Sequence, residues 1–175
     1  MNPIKRRTPE ERFNTFTHLA GVVFTLSAAW FILRLGYGSN WKNAFGTTCF
    51  TCGMLLMYAA STLYHWALPG RAKRRLRIFD HISIYVMIAA SYTPICIGVV
   101  GGALGWSFVF VAEPVCTRLS PAALAAIGAE GLFYTSGTWF FAHDSKPYFH
   151  GVWHLFVLLG SVAHWLAILL LLSAA

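Results

Sequence analysis

The stretch HGVWHLFVLLGSVAHWLAILLLLS, residues 150–173, decides the fold class of this chain. It contains no Asp, Glu, Lys or Arg, and it exceeds the roughly 20 residues that an α-helix needs to cross the hydrocarbon core of a bilayer. Its apolar residues are continuous rather than alternating, which disfavours a strand of a β-barrel. The stretch is therefore predicted to be a transmembrane helix that begins with His150 and His154.

Similar apolar stretches recur along the rest of the chain. They predict spans at about 16–35, 44–66, 79–100 and 118–141, of which the last is weakened by Pro121 and Glu130. The chain is 57% hydrophobic and only 11% charged, whereas an ordinary soluble domain is about 25% charged. We predict an all-α polytopic transmembrane helix bundle, in which an N-terminal segment, 1–15, precedes one membrane domain, 16–175.

The net charge of +7 reflects membrane topology rather than nucleic-acid binding. Most of the 13 Lys and Arg residues lie in two clusters that flank apolar spans, which is the placement expected of cytoplasmic segments. Membrane lipids are the expected partners, because such clusters attract anionic headgroups. The clusters are Lys5, Arg6, Arg7 and Arg12, and Arg71, Lys73, Arg74, Arg75 and Arg77 in the loop 67–77.

Residues 103–149 decide how often the chain crosses the membrane. The apolar part of 103–117 is about ten residues long, or ~15 Å as a helix, which is half a bilayer. Either the chain crosses once between the third span and the last, with 103–117 re-entrant, interfacial or a continuation of the third span, or it crosses twice. We favour one crossing and five spans.

Polar side chains near the ends of the spans are the candidates for function, because ionisable groups are costly inside a membrane. His150 and His154 are one helical turn apart and share a face, as do Ser61 and His65. Two further groups are Asp80 with His81 at the start of the third span, and Glu11, Asn14 and His18 on one face of the first.

Two histidines one turn apart can direct ring nitrogens at a single metal ion. A third histidine from another helix, His65, would complete three protein ligands and leave a fourth position open, as in catalytic zinc sites. Imidazole ligands favour zinc over magnesium or calcium, although iron and copper stay open. A neighbouring carboxylate or hydroxyl would orient a water molecule whose pKa the metal lowers.

Each of these residues also has a simpler explanation. His65 fits a hydrogen-bonding residue at the lipid headgroups, Asp80 a salt-bridged helix N-cap, and Glu11 an acid favoured by the helix dipole. The Cys49–Cys52 pair is expected to pack rather than to bind zinc or undergo redox chemistry. The metal site also requires an odd number of crossings between the third span and the last, because otherwise the histidines lie on opposite faces of the membrane.

Four motifs in order resemble the haemolysin III family, bacterial membrane proteins related to progestin and adipoQ receptors and, more distantly, to alkaline ceramidases. The resemblance implies seven helices and a zinc ion near the cytoplasmic face, with ligands at the positions matched by His65, His150 and His154. Asp80 matches the acid that holds the zinc-bound water, and Ser61 matches the serine one turn before the first ligand. The motifs are EERFNTFTHLAG (10–21), STLYHW (61–66), DHISIYVMIAASYTPICIG (80–98) and HGVWHLFVLLGSVAHW (150–165).

The chain departs from the family pattern in length, and about five to six spans are expected instead of seven. The resemblance implies a zinc-dependent hydrolase of a membrane-lipid amide or ester, acting in membrane homeostasis, with Asp80 and Ser61 as catalytic residues. It also implies a bacterial plasma membrane protein with a cytoplasmic N-terminus. The alternatives are a non-enzymatic cytolysin-like or channel-like protein, a sensor with a structural metal, and a truncated, inactive family member. The sequence leaves the substrate and the oligomeric state open.

Overall fold

The computed structural model describes residues 8–100 and 119–173 of the chain. These residues fold into five long α-helices that pack into one bundle. The third helix continues directly into a π-helical segment, Pro94–Val100. Every secondary-structure element of these described residues is helical, as the apolar pattern predicts. The helices are α1 (Pro9–Ser39), α2 (Trp41–Trp66), α3 (Arg71–Thr93), α4 (Pro121–Ala142) and α5 (Phe149–Ser173).

Local sequence determines where two of these helices begin. Thr8 precedes α1 and Ser120 precedes α4, and each hydroxyl accepts a backbone N–H of the first helical turn at 3.2 Å. Pro9 and Pro121 occupy the first position of the helix, where a missing N–H leaves no hydrogen bond unmade. The same Thr/Ser-Pro signal therefore starts both helices.

Small residues at the helix contacts allow α2 to pack closely between α1 and α3, as is common in membrane bundles. A Cβ at any of the glycines involved would overlap the neighbouring helix. The contacts show that α2 is antiparallel to both neighbours. They join Gly21 to Tyr58 and Gly36 to Thr47 between α1 and α2, Gly53 to Ala90 between α2 and α3, and Gly46 to Pro94 between α2 and the π-helical segment.

The directions of the helices define two ends of the bundle. α5 begins beside the start of α1, because the backbone N–H of Tyr148 donates to Glu10 Oε1 at 3.2 Å. α4 is antiparallel to α5, since Gly137 contacts Phe156 and Gly160 contacts Tyr134. α1, α3 and α5 begin at one end of the bundle, and α2 and α4 finish there. We call this the histidine end, and we call the opposite one the far end.

Between α3 and α5, the described part of the chain crosses the bundle once, and the helix that crosses is α4. The π-helical segment ends and α4 begins at the far end, so the intervening residues join two points on the same side. This arrangement satisfies the odd number of crossings that the metal site requires. The stretch 103–117, predicted to be re-entrant, interfacial or a continuation of the third span, lies outside the described residues.

The composition of the helices fits an integral membrane protein. Four described helical stretches are long and apolar enough to cross a bilayer: Pro9–Ser39, Trp41–Trp66, Arg71–Gly98 and Phe149–Ser173. α4 is not one of these four stretches, but it has 22 residues, or about 33 Å as a helix, and it runs along α5. The buried apolar core lies between α1, α2, α3 and α5, while large apolar side chains such as Trp30, Tyr85 and Leu132 point outward.

The structure changes the prediction at the polar starts of two helices, α3 in the basic loop 67–77 and α1 in the segment 1–15. α3 begins at Arg71, so the basic residues from Arg71 to Arg77 lie on its first turns rather than in a loop. The reason is that Arg, Lys, Ala and Leu are strong helix formers, which extend the helix beyond its apolar part. α1 likewise begins at Pro9, within the segment 1–15 that the sequence assigns to the N-terminal extension.

Candidate metal centre

Three histidines from two helices meet at the histidine end of the bundle. His65 lies in the last turn of α2, and His150 and His154 lie one turn apart at the start of α5. One ring nitrogen from each residue lies within 4.8 Å of the other two, a spacing that can hold a metal ion. His65 and His154 are buried and His150 is partly buried. This is the same set of residues that the sequence identifies.

The hydrogen bonds around His154 fix which of its ring nitrogens is protonated. Thr17 donates its hydroxyl hydrogen to the backbone carbonyl of Asn14 at 2.8 Å, so its oxygen can only accept a further bond. His154 Nδ1 lies 3.2 Å from that oxygen and therefore donates to it. In the neutral ring the proton is then on Nδ1, which leaves the lone pair of Nε2 for a ligand.

His65 is oriented by a carboxylate. Glu11 Oε2 lies 2.7 Å from His65 Nδ1, so that nitrogen is the donor and Nε2 carries the lone pair. The other oxygen of Glu11 accepts from Lys73 Nζ at 2.6 Å. Lys73 also donates to the carbonyls of Tyr64 and Ala67 at the end of α2. Glu11 thus links α1, α2 and α3 at the candidate metal centre.

His150 follows a tight turn between α4 and α5. Asp144 Oδ2 lies 3.6 Å from His150 Nδ1, an ion-pair contact rather than a hydrogen bond. Tyr148, two residues before His150, has a φ of 64°, a left-handed conformation that is rare for a side chain of this size. The hydrogen bond from Tyr148 to Glu10 and the edge-to-face contact of its ring with Phe13 hold this turn in place.

Each histidine therefore directs Nδ1 at an oxygen atom and leaves Nε2 without a partner. Nε2 of His65, His150 and His154 are all buried without a hydrogen bond within the protein. Burying such atoms unpaired is unfavourable, and metal-binding histidines commonly pair their second nitrogen with a carboxylate or another oxygen. The residues present therefore fit a metal ion that three imidazole nitrogens would hold.

A glycine allows α5 to approach α1 at this point. Gly151 lies against the ring of Phe13 and the side-chain oxygen of Asn14, and a Cβ there would overlap both. Because Gly151 lies between His150 and His154, this close approach sets how far the two histidines reach towards His65.

A cavity of about 380 Å³ opens beside the three histidines. Ser61 and Asp80 line it near the histidine end, and their side chains are neighbours. Both side chains are buried. The carboxylate of Asp80 is close enough to His65 for a direct electrostatic interaction. The structure thus places both predicted catalytic residues beside the candidate metal centre.

His18 is a fourth buried histidine at the same place. Its ring centroid lies 3.8 Å from that of His154, and it also lines the cavity. Neither of its ring nitrogens has a hydrogen-bond partner within the protein. His18 is therefore available to bind a molecule that enters the cavity.

A family model of haemolysin III-related proteins matches residues 6–112 of this chain. The chain belongs to this family. The match contains Glu11, His18, Ser61, His65 and Asp80, so it covers the part of the site that α1, α2 and α3 contribute.

Two curated haemolysin III relatives align with almost the whole chain. The Hemolysin-3 homolog of Bacillus subtilis (strain 168) is 31% identical over 199 residues, covering 91% of this chain and 93% of the relative. Hemolysin-3 of Bacillus cereus is 26% identical over 200 residues, covering 91% of this chain and 90% of the relative. No solved structure matches the chain.

The haemolysin III relatives have residues that this chain lacks. The alignment with the Bacillus subtilis protein spans 199 positions, whereas this chain has 175 residues. Some positions of the relative therefore have no counterpart here, in agreement with the predicted shortening. The shortening leaves the three histidines together, because the described residues retain the odd number of crossings.

Sequence reasoning missed the residues that orient the histidines. Glu11 was a candidate, but Thr17 and Asp144 were not, because neither has a spacing that links it to a histidine on another helix. Reasoning also missed the ion pair of Glu130 on α4 with His164 on α5, at 2.7 Å. An acid in the middle of an apolar stretch was the available signal for that pair.

The Cys49–Cys52 motif does not contribute to the centre. Both cysteines lie on α2, and Cys52 is exposed on the outer surface of the bundle. Among the described residues, the one group with metal-binding geometry consists of the three histidines.

Proposed function

We propose that this haemolysin III family member is a zinc-dependent hydrolase of a membrane-lipid amide or ester. His65, His150 and His154 hold the zinc, and Asp80 and Ser61 act on the water and the substrate. Two observations carry the proposal: one ring nitrogen from each of the three histidines lies within 4.8 Å of the other two, and the Nε2 atom of each is unpartnered. They lie beside a cavity that opens among apolar side chains. Three histidine ligands leave a zinc ion one open position, which is the arrangement of catalytic rather than structural sites.

Zinc in this position would supply Lewis-acid activation of a water molecule. The chain's own residues supply the rest. Asp80 accepts the proton of the attacking water and orients it, while Ser61 fixes the Asp80 carboxylate by donating a hydrogen bond. His18 binds the carbonyl oxygen of the substrate through a ring N–H, because both of its nitrogens are unpartnered.

The walls of the cavity select a lipid over a water-soluble substrate. Met57, Ile84, Met87 and Val157 line it between the polar residues. A cavity of about 380 Å³ is within the roughly 300–1,000 Å³ range of small-molecule sites. An acyl chain fills such a space, with its carbonyl group at the histidine end.

Metal content is the first test of this proposal. The purified full-length protein is expected to contain one zinc per chain by plasma mass spectrometry, and His65→Gln and His154→Gln are expected to lose it. His143→Gln is the matched control, because His143 directly follows α4, its ring bonds the carbonyl of Trp139 one turn earlier, and it is not one of the three grouped histidines. Wild-type protein that carries no stoichiometric zinc and takes none up would overturn the proposal.

Activity is the second test, measured on ceramides and on ester lipids in nanodiscs. Asp80→Asn is expected to keep the zinc and to lower the rate by ~10²–10⁴, the usual contribution of a general base. Ser61→Ala is expected to lower the rate less, because it removes a group that acts through Asp80. An Asp80→Asn variant that hydrolyses lipid at the wild-type rate would exclude the assigned role.

We place the protein in a bacterial plasma membrane with the histidine end in the cytoplasm. Supporting this orientation, Arg12 and the basic residues from Arg71 to Arg77 lie at that end, as the positive-inside rule favours. Labelling of single cysteines at Asp144 and Ser39 from either side of sealed cells tests it. The proposal requires that only the Ser39 cysteine reacts with an impermeant reagent added outside.

The name of the Bacillus cereus relative, Hemolysin-3, favours a second candidate, a protein that permeabilises membranes without catalysis. This candidate predicts dye leakage from liposomes that is unchanged in His65→Gln and His154→Gln. Leakage that requires the histidines, or no leakage at all, contradicts it.

A further inference from the structure

The cavity has a second polar end that the proposed hydrolysis does not use. Glu130, Tyr134 and Tyr92 line it on the far side of its apolar walls. We call these three residues the deep end. Glu130 is buried, with 4% of its surface exposed, and it lies near the middle of α4. An acid at this depth in a membrane helix is a candidate for function by default.

His164 neutralises Glu130 through a shared proton. Glu130 Oε2 lies 2.7 Å from His164 Nδ1, and His164 Nε2 lies 2.7 Å from the backbone carbonyl of Ser91. A carbonyl only accepts, so Nε2 carries a proton. One further proton lies between Nδ1 and the carboxyl group, and the pair is neutral overall wherever that proton resides.

The third partner of the pair is a backbone carbonyl of α3. The carbonyl of Ser91, three residues before the π-helical segment Pro94–Val100, accepts from His164 Nε2 at 2.7 Å. The pair thus joins α3, α4 and α5.

The deep end presents hydrogen-bond acceptors to the cavity. The second oxygen of Glu130 has no proton in either form of the pair, because the shared proton lies on the side of His164. Tyr134 lies 3.3 Å from Ser161, whose own hydroxyl donates to the carbonyl of Val157. Tyr134 must therefore donate to Ser161, and its oxygen can only accept from a ligand. A ligand group that binds Glu130 or Tyr134 must therefore be a donor.

The distance between the two ends sets where on a lipid this donor lies. Asp80 and Ser91 both line the cavity from α3, and their separation along the helix is about 16 Å. An extended chain advances about 1.2 Å per bond, since three backbone bonds span at most ~3.6 Å. The donor oxygen therefore lies about thirteen bonds from a carbonyl oxygen at the histidine end, which places it on about carbon 12 of an acyl chain.

We propose that the deep end is a subsite for a hydroxyl group near carbon 12 of an acyl chain. The hydroxyl donates to Glu130 or to Tyr134, and the intervening methylenes pack on Met87 and Ile88. This proposal rests on the proposed function, whose substrate class it narrows to lipids with a hydroxylated chain. A hydroxyl subsite explains why an acid lines the cavity at this depth. An apolar residue of similar size would pack there without the free-energy cost of removing a polar group from water.

The test measures binding of free fatty acids, which requires neither hydrolysis nor a metal. The full-length protein in nanodiscs is equilibrated with equal amounts of 12-hydroxystearate and stearate, and the bound acids are quantified by mass spectrometry. Empty nanodiscs give the partition background. We expect 12-hydroxystearate to be preferred by about three- to tenfold, the effect of one net hydrogen bond. 12-Oxostearate and 3-hydroxystearate are expected to bind like stearate, since one has no donor and the other has it at the wrong carbon.

Variants separate the subsite from a purely structural pair. Glu130→Leu combined with His164→Phe removes both partners and is expected to keep stearate binding but to lose the preference. Tyr134→Phe leaves the pair intact and is expected to reduce the preference. Thr138→Val is the matched control, because Thr138 lines the cavity about two turns closer to the histidine end, and it is expected to retain the preference.

The outcomes distinguish this proposal from the proposed function. No preference in the wild type, an equal preference for 12-oxostearate, or a preference that survives the double variant would overturn the subsite. His65→Gln is measured in parallel, and it is expected to retain the preference even though it lacks the metal. A protein that contains no zinc but selects 12-hydroxystearate would refute the hydrolase and support the subsite.

Discussion

Replacing Glu11 with Gln should weaken metal binding without removing a metal ligand. Glu11 accepts from His65 Nδ1 at 2.7 Å and from Lys73 at 2.6 Å, and its side chain is partly buried. Gln has the same shape but no charge, so it orients the His65 ring less firmly and makes Nε2 a weaker donor to the metal. Changes of this kind cost about 10- to 100-fold in metal affinity, or about 1.4–2.8 kcal/mol.

The assay is a competition for zinc between the purified protein and a chelator of known affinity. Glu10→Gln is the matched control, since Glu10 neighbours Glu11 in the same turn but, among the described residues, accepts a hydrogen bond from the backbone N–H of Tyr148 rather than from a histidine. Its zinc affinity is expected to stay within about threefold of the wild type, because the amide oxygen of Gln still accepts from the backbone N–H of Tyr148 and the turn before His150 is kept. Circular dichroism and thermal unfolding in detergent verify that both variants are folded.

Lys73→Met separates the two functions of Glu11. It removes the contact with Lys73 and leaves the hydrogen bond to His65, so zinc affinity should fall much less than in Glu11→Gln. The reasoning is refuted if Glu11→Gln and Glu10→Gln bind zinc equally well. It is also refuted if Lys73→Met reproduces the full loss, because the effect would then come from the helix contact rather than from the ligand.

Three further predictions concern packing and the turn before α5. Gly151→Leu should abolish zinc binding, because the leucine side chain would overlap Phe13 and force α5 away from α1. Metal content measures this effect. Gly128→Leu is the control, because a Cβ at Gly128 meets no other atom. Tyr148→Pro should weaken zinc binding at least tenfold, since proline cannot adopt a φ of 64°, whereas Tyr148→Gly should retain the metal. Glu130→Ala should lower the unfolding free energy by about 1–3 kcal/mol, because it leaves a buried imidazole nitrogen of His164 unpaired. Thermal unfolding checks this. Equal stability of Glu130→Ala and wild type would show that the Glu130–His164 pair contributes nothing to stability.

Much of the fold follows from the sequence, because each span is a local property. A run of apolar residues long enough to cross a bilayer must form a helix, since an unpaired backbone group in hydrocarbon costs several kcal/mol. The predicted spans 44–66 and 150–173 thus differ little from α2 and α5. The differences lie at the polar ends, where the sequence assigned 67–77 to a loop although α3 begins at Arg71. Hydropathy detects where the apolar region starts, not where the helix starts.

The site was partly predictable for the same reason. His150 and His154 share a helix face by spacing alone, and Ser61 and His65 do so as well. Their meeting across helices depends on the direction of α5, which follows from the number of crossings before it. The sequence could set the condition for that number but could not decide it, because 103–117 is too short for a clear assignment.

The sequence by itself determined the helical membrane class, the family and which histidines share one face of a helix. The tertiary structure decided which side chains serve them: Glu11, Thr17 and Asp144 orient the three rings, and His164 pairs with Glu130. Apolar periodicity and helix spacing act within one segment, and these patterns are therefore visible in the chain. Hydrogen bonds between helices depend on how far each helix is rotated and shifted against its neighbour, which is set by close contacts such as that of Gly151 with Phe13.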